Sequence, residues 1–452
     1  MKFHKDIFKA YDIRGLTPDE LNPQVAYAIG RAFADFVPKG KVAVGRDMRT
    51  DSGELADAII AGLIQQGREV IDLGQITSDM IYFAVGKFKL AGGAMITASH
   101  NPGQYDGIKL TGQGVVPIGI DSGLLEIEEN ISKDNYKKLH KKGSITAQNI
   151  TQDWVRHALS IVGKIDKPLH IGTDTGNGMA AIILPYLHNL TPLKIESLFV
   201  ELDGTFPNHV ANPLIEANTK DLRKLVVKKG LTCGIAFDGD GDRAFVVDNK
   251  GELLSGSVLG SILAKEILEK NPAETVLYNV ICSDIVPATI EGFGGKSVRT
   301  RVGHSFIKAQ MKKRKAIFAC EHSGHFYFRD NYNADSGLIA ALMLLKILSE
   351  TDKSLSEIAA PFKTMFANSP ELNFSAQDPA ESLKVLERRY GDGELDHLDG
   401  LTVRYRDWWF NARPSNTEPY LRLNIEARDK ALLAEKLKKL KKLKKDIGSK
   451  PT

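Results

Sequence analysis

The stretch KVAVGRDMRTDSGELADAIIAGLIQQGREVIDLG, residues 41–74, decides the fold class of the chain. Its two ends, KVAVG (41–45) and EVIDLG (69–74), are short apolar runs typical of buried strands. Between them, LADAIIAGLIQQG (55–67) repeats apolar residues at helical spacing and ends in Gly67, a helix stop signal. Strands that alternate with helices in this way predict α/β layers around a largely parallel sheet.

The same alternation continues over most of the chain. Strand-like runs that end in glycine or polar loops recur at 92–97, 169–176, 234–242, 275–280 and 316–324. After residue 370 the pattern changes, and strands at 401–405 and 420–427 predict a smaller α+β unit. A chain of 452 residues exceeds what one hydrophobic core organises, so we expect three or four domains.

Composition and charge exclude several classes of protein. Hydrophobic residues make up 42% and charged residues 26%, as in an ordinary soluble globular protein, and a net charge of +4 does not favour nucleic acid or a membrane surface as partner. The longest apolar run, 337–345, is about half the length that a membrane helix needs. The amino terminus lacks the apolar core of a signal peptide. Cys233, Cys282 and Cys320 are far apart and odd in number, which predicts free thiols and a cytoplasmic location.

The segment GIAFDGDGDRAFVVD carries the clearest chemical signal. Asp238, Asp240 and Asp242 alternate with glycines between two strand-like runs. Residues two apart share a face of an extended chain, and glycine lets the chain curl, so the three carboxylates can converge on one point. Three close anions repel one another unless a cation neutralises them, and oxygen ligands favour Mg²⁺ or Ca²⁺.

Arg243, directly after this triplet, suits a phosphate oxygen opposite the metal, which points to phosphoryl chemistry. A calcium-binding EF-hand is excluded. With Asp238 as its first position, that loop needs glycine where Arg243 stands and glutamate where Asn249 stands. A plain polar turn is the structural alternative.

A second candidate loop, RPSNTEP (413–419), offers an arginine, two hydroxyls and an amide, which together can surround one phosphate. A polar turn of ordinary composition is the alternative for this loop.

Two further loops contain histidine. In CEHSGH (320–325), Glu321 and Ser323 can face one side and hydrogen-bond vicinal hydroxyls of a sugar. His322 and His325 leave open a metal site, although no nearby residues in the sequence complete its ligands. His304, in GHS (303–305), is by itself typical of a structural loop histidine.

The motif TASHNP (97–102) follows an apolar run and contains Ser99 next to His100, a pair that suggests a nucleophile beside its base. Adjacent side chains on an extended backbone point to opposite faces, so we expect His100 to be poorly placed to deprotonate Ser99. The serine therefore needs another role.

Seven short motifs occur in this order along nearly the whole chain: KAYDIRG, TASHNP, DGTFPNH, DGDGDR, VGHSFIK, CEHSGH and RPSNTEP. Together they resemble the α-D-phosphohexomutase family, specifically its phosphomannomutase/phosphoglucomutase branch. The resemblance implies four domains around a central cleft, three of them related α/β domains with mixed sheets and the last a C-terminal α+β domain. The implied bounds are 1–146 with a phosphoserine loop, 147–248 with a metal-binding loop, 249–364 with a sugar-recognition loop and 365–452 with a phosphate-binding loop.

The resemblance also implies an activity, the reversible transfer of phosphate between O1 and O6 of mannose or glucose phosphates. Ser99 would be the phosphoserine and would share one Mg²⁺ with Asp238, Asp240 and Asp242. The hexose 1,6-bisphosphate formed by transfer would turn end for end in the cleft and return its other phosphate to Ser99. Phosphoserine carries roughly −1.5 to −2 charge, so its loop must face a cation.

Other roles are carried over from the family residue by residue. The implied catalytic residues besides Ser99 are His100, Lys109, Arg14, Arg243 and His304. Lys109 would act as acid or base if burial and cationic neighbours lower its pKa, whereas Arg14 would mainly stabilise charge. The implied substrate-binding residues are Tyr11, Glu321, Ser323, His325, Arg413, Ser415, Asn416 and Thr417.

The implied partners are small sugar phosphates, with no nucleic acid or membrane, and the protein would be a monomer or homodimer. One departure from the family is Ile281, which stands near where some relatives carry a basic residue; Arg299 or Arg301 would substitute for it. Another is Cys320, at a position where glycine is frequent.

Three alternatives stay open at this point. Phosphoglucosamine mutases share the architecture but more often have glycine where Asn416 stands. A phosphatase that uses Asp238 as an aspartyl nucleophile would leave TASHNP and RPSNTEP unexplained. A sugar-phosphate sensor without catalysis would be expected to have lost Ser99 or an aspartate, and all of them are present.

Overall fold

A computed structural model describes residues 3–137, 141–376, 378–414 and 420–442. In these ranges the chain forms four successive units, each built on one sheet. Three units have mixed sheets with flanking helices, and the fourth is an α+β unit with an antiparallel sheet. The predicted fold class is therefore confirmed.

The first unit has the sheet order β1-β5-β4-β2-β3-β7, with β6 paired to β5. Its strands β2 and β3, which are the ends of the stretch 41–74, pair in parallel with Val42 opposite Val70. Its elements are β1 (Ile13–Leu16), α1 (Pro23–Phe36), β2 (Val42–Arg46), α2 (Ser52–Gln65), β3 (Glu69–Gln75), α3 (Ser78–Lys87), β4 (Gly92–Ile96), β5 (Tyr105–Gly112), β6 (Val116–Ile118), α4 (Leu124–Ser132) and β7 (Ser144–Ala147).

The second unit has the sheet order β11-β10-β8-β9, in which β10 and β11 are antiparallel and the other pairs parallel. The acidic triplet lies in the turn between β10 and β11. The elements are α5 (Thr151–Val162), β8 (His170–Asp174), α6 (Leu184–Leu190), β9 (Lys194–Leu198), α7 (Lys220–Lys229), β10 (Cys233–Phe237) and β11 (Ala244–Val247).

The third unit has the sheet order β13-β12-β14-β15-β16. Glu321 and Ser323 follow its strand β14. The elements are α8 (Gly256–Lys270), β12 (Thr275–Asn279), α9 (Ile285–Gly292), β13 (Lys296–Thr300), α10 (His304–Arg314), β14 (Phe318–Cys320), β15 (Phe326–Phe328), β16 (Ala334–Asp335), α11 (Gly337–Ser349) and α12 (Leu355–Lys363).

The fourth unit has the sheet order β17-β22-β21-β20-β19, with β18 paired to β22. Arg413 lies near the end of β21. The elements are β17 (Ala367–Asn368), β18 (Leu372–Ser375), α13 (Pro379–Arg389), β19 (Glu394–Asp396), β20 (Leu401–Arg404), β21 (Trp408–Pro414), β22 (Tyr420–Ala427) and α14 (Lys430–Lys442).

The first three units share one cluster of buried hydrophobic side chains, besides a second cluster that lies within the first unit. Met80 of the first unit, Trp154 of the second and Leu263 of the third belong to the same cluster of buried side chains. The fourth unit has a core of its own, which includes Phe410 and Leu423. Within the described residues, the fourth unit is thus the one that contributes no buried side chain to the shared cluster.

Polar contacts join the fourth unit to the third. Val302 N donates to Asp399 Oδ2 at 2.8 Å, and the Arg404 guanidinium donates to Asp284 Oδ2 at 2.9 Å. Arg299 forms an ion pair with Asp396. A joint made of such contacts can open at lower cost than an apolar core, since water can replace each partner.

Glu426 is the buried carboxyl of this joint. Its Oε1 accepts from Asp284 N and from Trp409 Nε1, both at 2.9 Å. Burial, assisted by the Asp284 carboxylate, raises the pKa of Glu426 from an ordinary 4.5 to about 7, although a hydrogen bond from Ser283 works the other way. The folded chain therefore binds a proton here that the unfolded chain has already lost between pH 4.5 and 7.

We expect the stability contributed by Glu426 to fall as the pH rises through this window, by roughly 1–3 kcal/mol in all. Glu426→Gln should remove that slope, so the unfolding midpoint of the variant declines less than that of the parent between about pH 5 and pH 8. Urea unfolding at several pH values measures it, with the exposed Glu394→Gln as control. Equal slopes in parent and Glu426→Gln would contradict the assignment.

Two class predictions concern membranes and thiols. None of the helices in the described ranges combines the length and apolar character that crossing a bilayer requires. Cys233, Cys282 and Cys320 are buried free thiols, as predicted.

Candidate active site

Ser99 of the first unit directly contacts the acidic triplet of the second. Its hydroxyl donates to Asp238 Oδ2 at 2.7 Å, and the residue is 1% exposed. A side chain on Gly239 would place its Cβ 2.4 Å from the Ser99 carbonyl oxygen, so only glycine lets the two loops approach this closely. Two loops 139 residues apart in sequence thus meet at one hydroxyl–carboxylate hydrogen bond.

His100 lies closer to Ser99 than the sequence argument predicts. Its Nδ1 is 3.3 Å from the Ser99 hydroxyl oxygen. The assumption of an extended backbone was wrong, because Ser99 has a φ of +51° in the left-handed region, which turns the two side chains toward the same space. Burial, with Arg243 and Arg14 nearby, holds the pKa of His100 well below its usual range, so its imidazole is neutral.

The acidic triplet fits a divalent cation. Each carboxylate offers an oxygen, and these oxygens all lie within 4.8 Å of one another. Asp240 Oδ1 and Asp242 Oδ1 are buried and have no hydrogen-bond partner within the described residues. Buried carboxylate oxygens without donors are costly unless a cation binds them.

Lys109 and Arg243 partly balance the charge of the triplet. The Lys109 ammonium lies 2.6 Å from Asp240 Oδ2 and 2.7 Å from Asp242 Oδ2, and Arg243 Nε lies 3.4 Å from Asp238 Oδ2. Burial, together with the repulsion of Asp240 and Asp242, raises the pKa of Asp238 to about 8. Lys109 and Arg243 thus stabilise only part of the negative charge that three ionised carboxylates would carry.

Lys109 does not have the low pKa that the sequence argument required. Burial alone would lower the pKa, but Asp240 and Asp242 outweigh it and raise the pKa of Lys109 well above its usual range. The expectation of cationic neighbours was wrong, because the neighbours are carboxylates. The same contact acts on Asp240, whose burial is overcome by Lys109, so that its pKa lies well below the usual range.

Arg14 lies beside the serine loop. Its guanidinium donates to Asn101 Oδ1 at 2.8 Å and pairs with Asp12 at 2.5 Å, while its buried Nε has no partner within the described residues. Arg14 therefore brings positive charge to the loop that carries Ser99 and His100.

Glu321 is held in one orientation by three donors. Its carboxylate accepts from the Tyr327 hydroxyl at 2.6 Å, from Asn279 Nδ2 at 3.0 Å and from Gly303 N at 3.2 Å. Glu321 is 1% exposed, whereas Ser323 is partly exposed. The carboxylate is thus rigidly presented, with a hydroxyl on the same loop facing more open space.

His325 joins the third unit to the acidic triplet. Its Nδ1 lies 2.8 Å from Asp335 Oδ2 and 3.7 Å from Asp242 Oδ1. Burial would lower the pKa of His325, but Asp242 and Asp335 outweigh burial and raise it. These three residues have metal-ligand spacing, which the sequence could not show, but the Lys308 ammonium already lies 2.7 Å from Asp335 Oδ1.

His304 and Tyr11 face each other across the first and third units. Their rings are edge to face with centroids 5.8 Å apart, and the Tyr11 hydroxyl donates to Val302 O at 3.2 Å. A Cβ on Gly303, whose φ is +127°, would lie 2.6 Å from the Tyr11 ring. Burial and Lys308 hold the pKa of His304 well below its usual range, and burial with Asp399 raises the pKa of Tyr11 to about 12.

Arg413 approaches from the fourth unit. It is 4% exposed, donates to Glu371 Oε2 at 3.2 Å, and its Nε has no hydrogen-bond partner within the described residues. Its charge is felt at both Tyr11 and His322. The other predicted members of this loop, Ser415, Asn416 and Thr417, lie outside the described residues.

Two arginines, Arg299 and Arg301, are candidates to replace the basic residue expected near Ile281. Ile281 is buried, and Arg299 is engaged in its ion pair with Asp396. Arg301 is exposed, stacks on the Phe306 ring at 4.2 Å and acts electrostatically on Tyr11. Of the two arginines, Arg301 is therefore the candidate substitute.

Comparison with protein families accounts for all four units. The chain matches phosphoglucomutase/phosphomannomutase alpha/beta/alpha domain I over residues 5–138, domain II over 152–251, domain III over 255–365 and the C-terminal domain over 371–442. The chain belongs to the phosphoglucomutase/phosphomannomutase family.

Individual proteins of this family are similar to the chain over nearly its full length. A protein named phosphohexose mutases from Xanthomonas campestris pv. campestris (strain B100) is 38% identical over 431 residues, 95% of this chain and 96% of the relative. A phosphomannomutase from Escherichia coli (strain K12) is 35% identical over 438 residues, with 95% and 96% covered. The crystal structure of a phosphoglucomutase/phosphomannomutase family protein from Burkholderia thailandensis has a TM-score of 0.90 and 30% identity, covering 99% of each chain.

The sequence analysis did not identify several residues that surround the site. Ser78 donates to Asp240 Oδ2 at 2.5 Å, and its backbone N donates to Asp240 O at 2.9 Å. Tyr327, Asp335 and Lys308 fix Glu321 and His325 as described above. Ser78 follows the strand EVIDLG and Lys308 ends the motif VGHSFIK, so their positions could have indicated these two, whereas Tyr327 and Asp335 lie outside the recognisable motifs.

Tyr327→Phe tests the support of Glu321. The variant removes a buried hydroxyl that donates to a carboxylate, and we expect a loss of roughly 1–3 kcal/mol in the free energy of unfolding. Chemical unfolding measures it, with Tyr186→Phe in α6 as a control. An unchanged midpoint in Tyr327→Phe would show that this hydrogen bond does not support Glu321.

Proposed function

We propose that the protein is a phosphohexomutase that moves a phosphoryl group reversibly between O1 and O6 of mannose and glucose phosphates. Ser99 carries the phosphoryl group, and a hexose 1,6-bisphosphate is the intermediate. The observation that supports this most directly is the 2.7 Å hydrogen bond between the Ser99 hydroxyl and Asp238, a member of the acidic triplet. Membership of a family whose relatives are named phosphomannomutase supports the substrate class.

One Mg²⁺ belongs to the proposal. Asp238, Asp240 and Asp242 would hold it together with an oxygen at Ser99, and when bound it supplies neutralisation of charge on the phosphoryl oxygens. The buried, unpartnered oxygens of Asp240 and Asp242 support this choice of ligands.

The chain's own charges then act on the phosphoryl group. Arg243 and Arg14 bring hydrogen-bond donors and positive charge to the serine loop, and the neutral imidazole of His100 lies beside the Ser99 hydroxyl. In the first half-reaction the bond between phosphorus and the serine oxygen breaks as the bond to a sugar oxygen forms, and the proton of the sugar hydroxyl passes to the serine oxygen. In the second half-reaction the bond between the other phosphorus and its sugar oxygen breaks as the bond to the serine oxygen forms, and the serine proton passes to that sugar oxygen. Lys109, held as an ammonium, suits the proton donor at the oxygen that leaves.

The remaining residues would bind the sugar and its second phosphate. Glu321 and Ser323 would hydrogen-bond hydroxyls that are accessible in both orientations, with Tyr11, His325 and His304 around them. Arg413, with Ser415, Asn416 and Thr417, would hold the phosphate that is not reacting. A clamp on the fourth unit, which lies outside the shared hydrophobic cluster, can open for the bisphosphate to turn.

A coupled assay of the purified protein tests the function. Mannose 1-phosphate, glucose 1-phosphate and glucosamine 1-phosphate are each supplied with Mg²⁺ and a trace of hexose 1,6-bisphosphate. We expect turnover of the two hexose phosphates to exceed that of glucosamine 1-phosphate. Preference for the amino sugar would instead identify a phosphoglucosamine mutase, release of inorganic phosphate a phosphatase, and binding without turnover a sensor.

The wider setting is proposed on the same basis. The partners are small sugar phosphates, the three free thiols agree with a cytoplasmic location, and the chain acts as a monomer or homodimer.

A further inference from the structure

Arg49 uses every one of its side-chain donors on the serine loop and its support. It is 3% exposed, and its Nε donates to Asp47 Oδ2 at 3.2 Å. The remaining four N–H groups reach four backbone carbonyls of the loop 99–105: Ser99 O at 2.9 Å, Asn101 O at 2.6 Å, Pro102 O at 2.8 Å and Tyr105 O at 2.9 Å. A guanidinium has five such donors, so none is left over for a ligand.

The serine loop needs this support. Ser99 has a φ of +51°, a left-handed conformation that costs a residue with a side chain on the order of 1 kcal/mol. The carbonyls of Ser99 and Asn101 turn inward at the end of β4, where a buried oxygen without a donor is costly. By binding these carbonyls, Arg49 fixes the backbone orientation that directs the Ser99 hydroxyl to Asp238.

Arg49 is itself held from both sides. The Asp47 carboxylate accepts from the backbone N of Arg49 at 2.9 Å and from Ser52 Oγ at 2.6 Å. These two hydrogen bonds fix the carboxylate that pairs with the guanidinium. On the other side, the Phe206 ring of the second unit lies 5.2 Å from the guanidinium. A Cβ on Gly204 would lie 2.5 Å from Arg49 Cα, so the second unit packs directly on this residue.

We propose that Arg49 is a positioning residue that holds Ser99 against the acidic triplet. The loop DGTFPNH of the second unit packs against Arg49 and keeps it in place. Arg49 acts through the backbone of the loop 99–105. The inference rests on the proposed function as far as its effect on turnover is concerned. It gives a role to the one family motif, DGTFPNH, that the chemistry of the site leaves unused.

The test compares Arg49→Lys with the matched control Arg68→Lys. Arg68 lies in the same unit and likewise donates to backbone carbonyls, those of Ala34 in the last turn of α1 and of Val37, Pro38 and Gly40 after it. Lysine keeps the charge but lacks the planar fork, so both variants lose carbonyl hydrogen bonds. Both are expected to unfold at lower urea concentration than the parent.

Only Arg49→Lys is expected to lower kcat, by about 10- to 100-fold with KM changed less than about threefold, because small displacements at a reacting group cost rate. Added guanidinium ion should partly restore kcat in Arg49→Ala. A kcat for Arg49→Lys equal to that of Arg68→Lys, or a raised KM at constant kcat, would overturn the proposal.

Hydrogen exchange separates this proposal from the proposed function. The amides of Asn101 and Tyr105 donate within the serine loop, and we expect them to exchange at least about tenfold faster in Arg49→Lys but not in Arg68→Lys. That readout needs no turnover. Unchanged exchange would refute the role of Arg49, whereas absence of mutase activity in the parent with altered exchange in the variant would refute only the function.

Discussion

Ser99→Ala is expected to lower mutase turnover by at least about 10³-fold while the protein stays folded. The hydroxyl oxygen of Ser99 is the atom that receives and returns the phosphoryl group, and alanine offers no replacement. The structural cost is small, because Asp238 keeps the hydrogen bond from Arg243 N at 3.1 Å. The coupled assay measures turnover, and circular dichroism on heating reports the fold.

Ser261→Ala is the matched control for this variant. Ser261 is 0% exposed, and its hydroxyl has no hydrogen-bond partner in the part of the chain that the structure describes. Its removal should leave both stability and turnover close to those of the parent. Parental turnover in Ser99→Ala would end the case for a phosphoserine.

Asp240→Asn is expected to remove both divalent cation binding and activity, the latter by about 10²-fold or more. Asp240 is a proposed metal ligand and also a partner of the Lys109 ammonium at 2.6 Å. Loss of one carboxylate leaves Lys109 with Asp242 alone, so we expect a further loss of stability, up to about 3 kcal/mol.

Thermal unfolding with and without Mg²⁺ separates these effects. Ligand at about 100 times its dissociation constant stabilises a folded protein by about 2.7 kcal/mol, so Mg²⁺ should raise the midpoint of the parent. Asp248→Asn is the control, since Asp248 is a fully buried carboxylate paired with Lys363 at 2.8 Å and outside the triplet. It should lose stability but keep the response to Mg²⁺. The assignment of the triplet fails if Asp240→Asn responds to Mg²⁺ as the parent does.

The sequence predicted those parts of the structure that depend on local pattern. The strands β2 and β3 and the helix α2 follow from alternation and helical spacing in one stretch of 34 residues, 41–74. The triplet Asp238, Asp240 and Asp242 was found because its spacing of two, with glycines between, is itself the geometric signal. The fold class could likewise be predicted from local pattern, without knowledge of any contact between distant residues.

What the sequence did not predict depends on contacts between distant residues. The carboxylate neighbours that keep Lys109 charged lie more than 130 positions away, so its pKa could not be inferred. The proximity of His100 to Ser99 depends on one left-handed residue, which no pattern in TASHNP indicates. Tyr327 and Arg49 lie outside the seven motifs and act through hydrogen bonds to residues of CEHSGH and TASHNP.

The sequence also did not predict that the fourth unit is joined to the others by polar contacts, outside the hydrophobic cluster that the first three units share. Domain boundaries inferred from composition do not distinguish units that contribute to a shared core from one that does not. In the structure, Trp154 packs in a cluster common to the first three units, and Phe410 packs only within the fourth. Polar residues such as Arg404 and Asp284 then join the fourth unit to the third.

Mass spectrometry of the intact protein after incubation with glucose 1,6-bisphosphate and Mg²⁺ tests the central claim most directly. The account predicts the addition of one phosphoryl group, located on Ser99 by peptide mapping and absent from Ser99→Ala. An unmodified protein, or a phosphoryl group on Asp238 or any other residue, would contradict it.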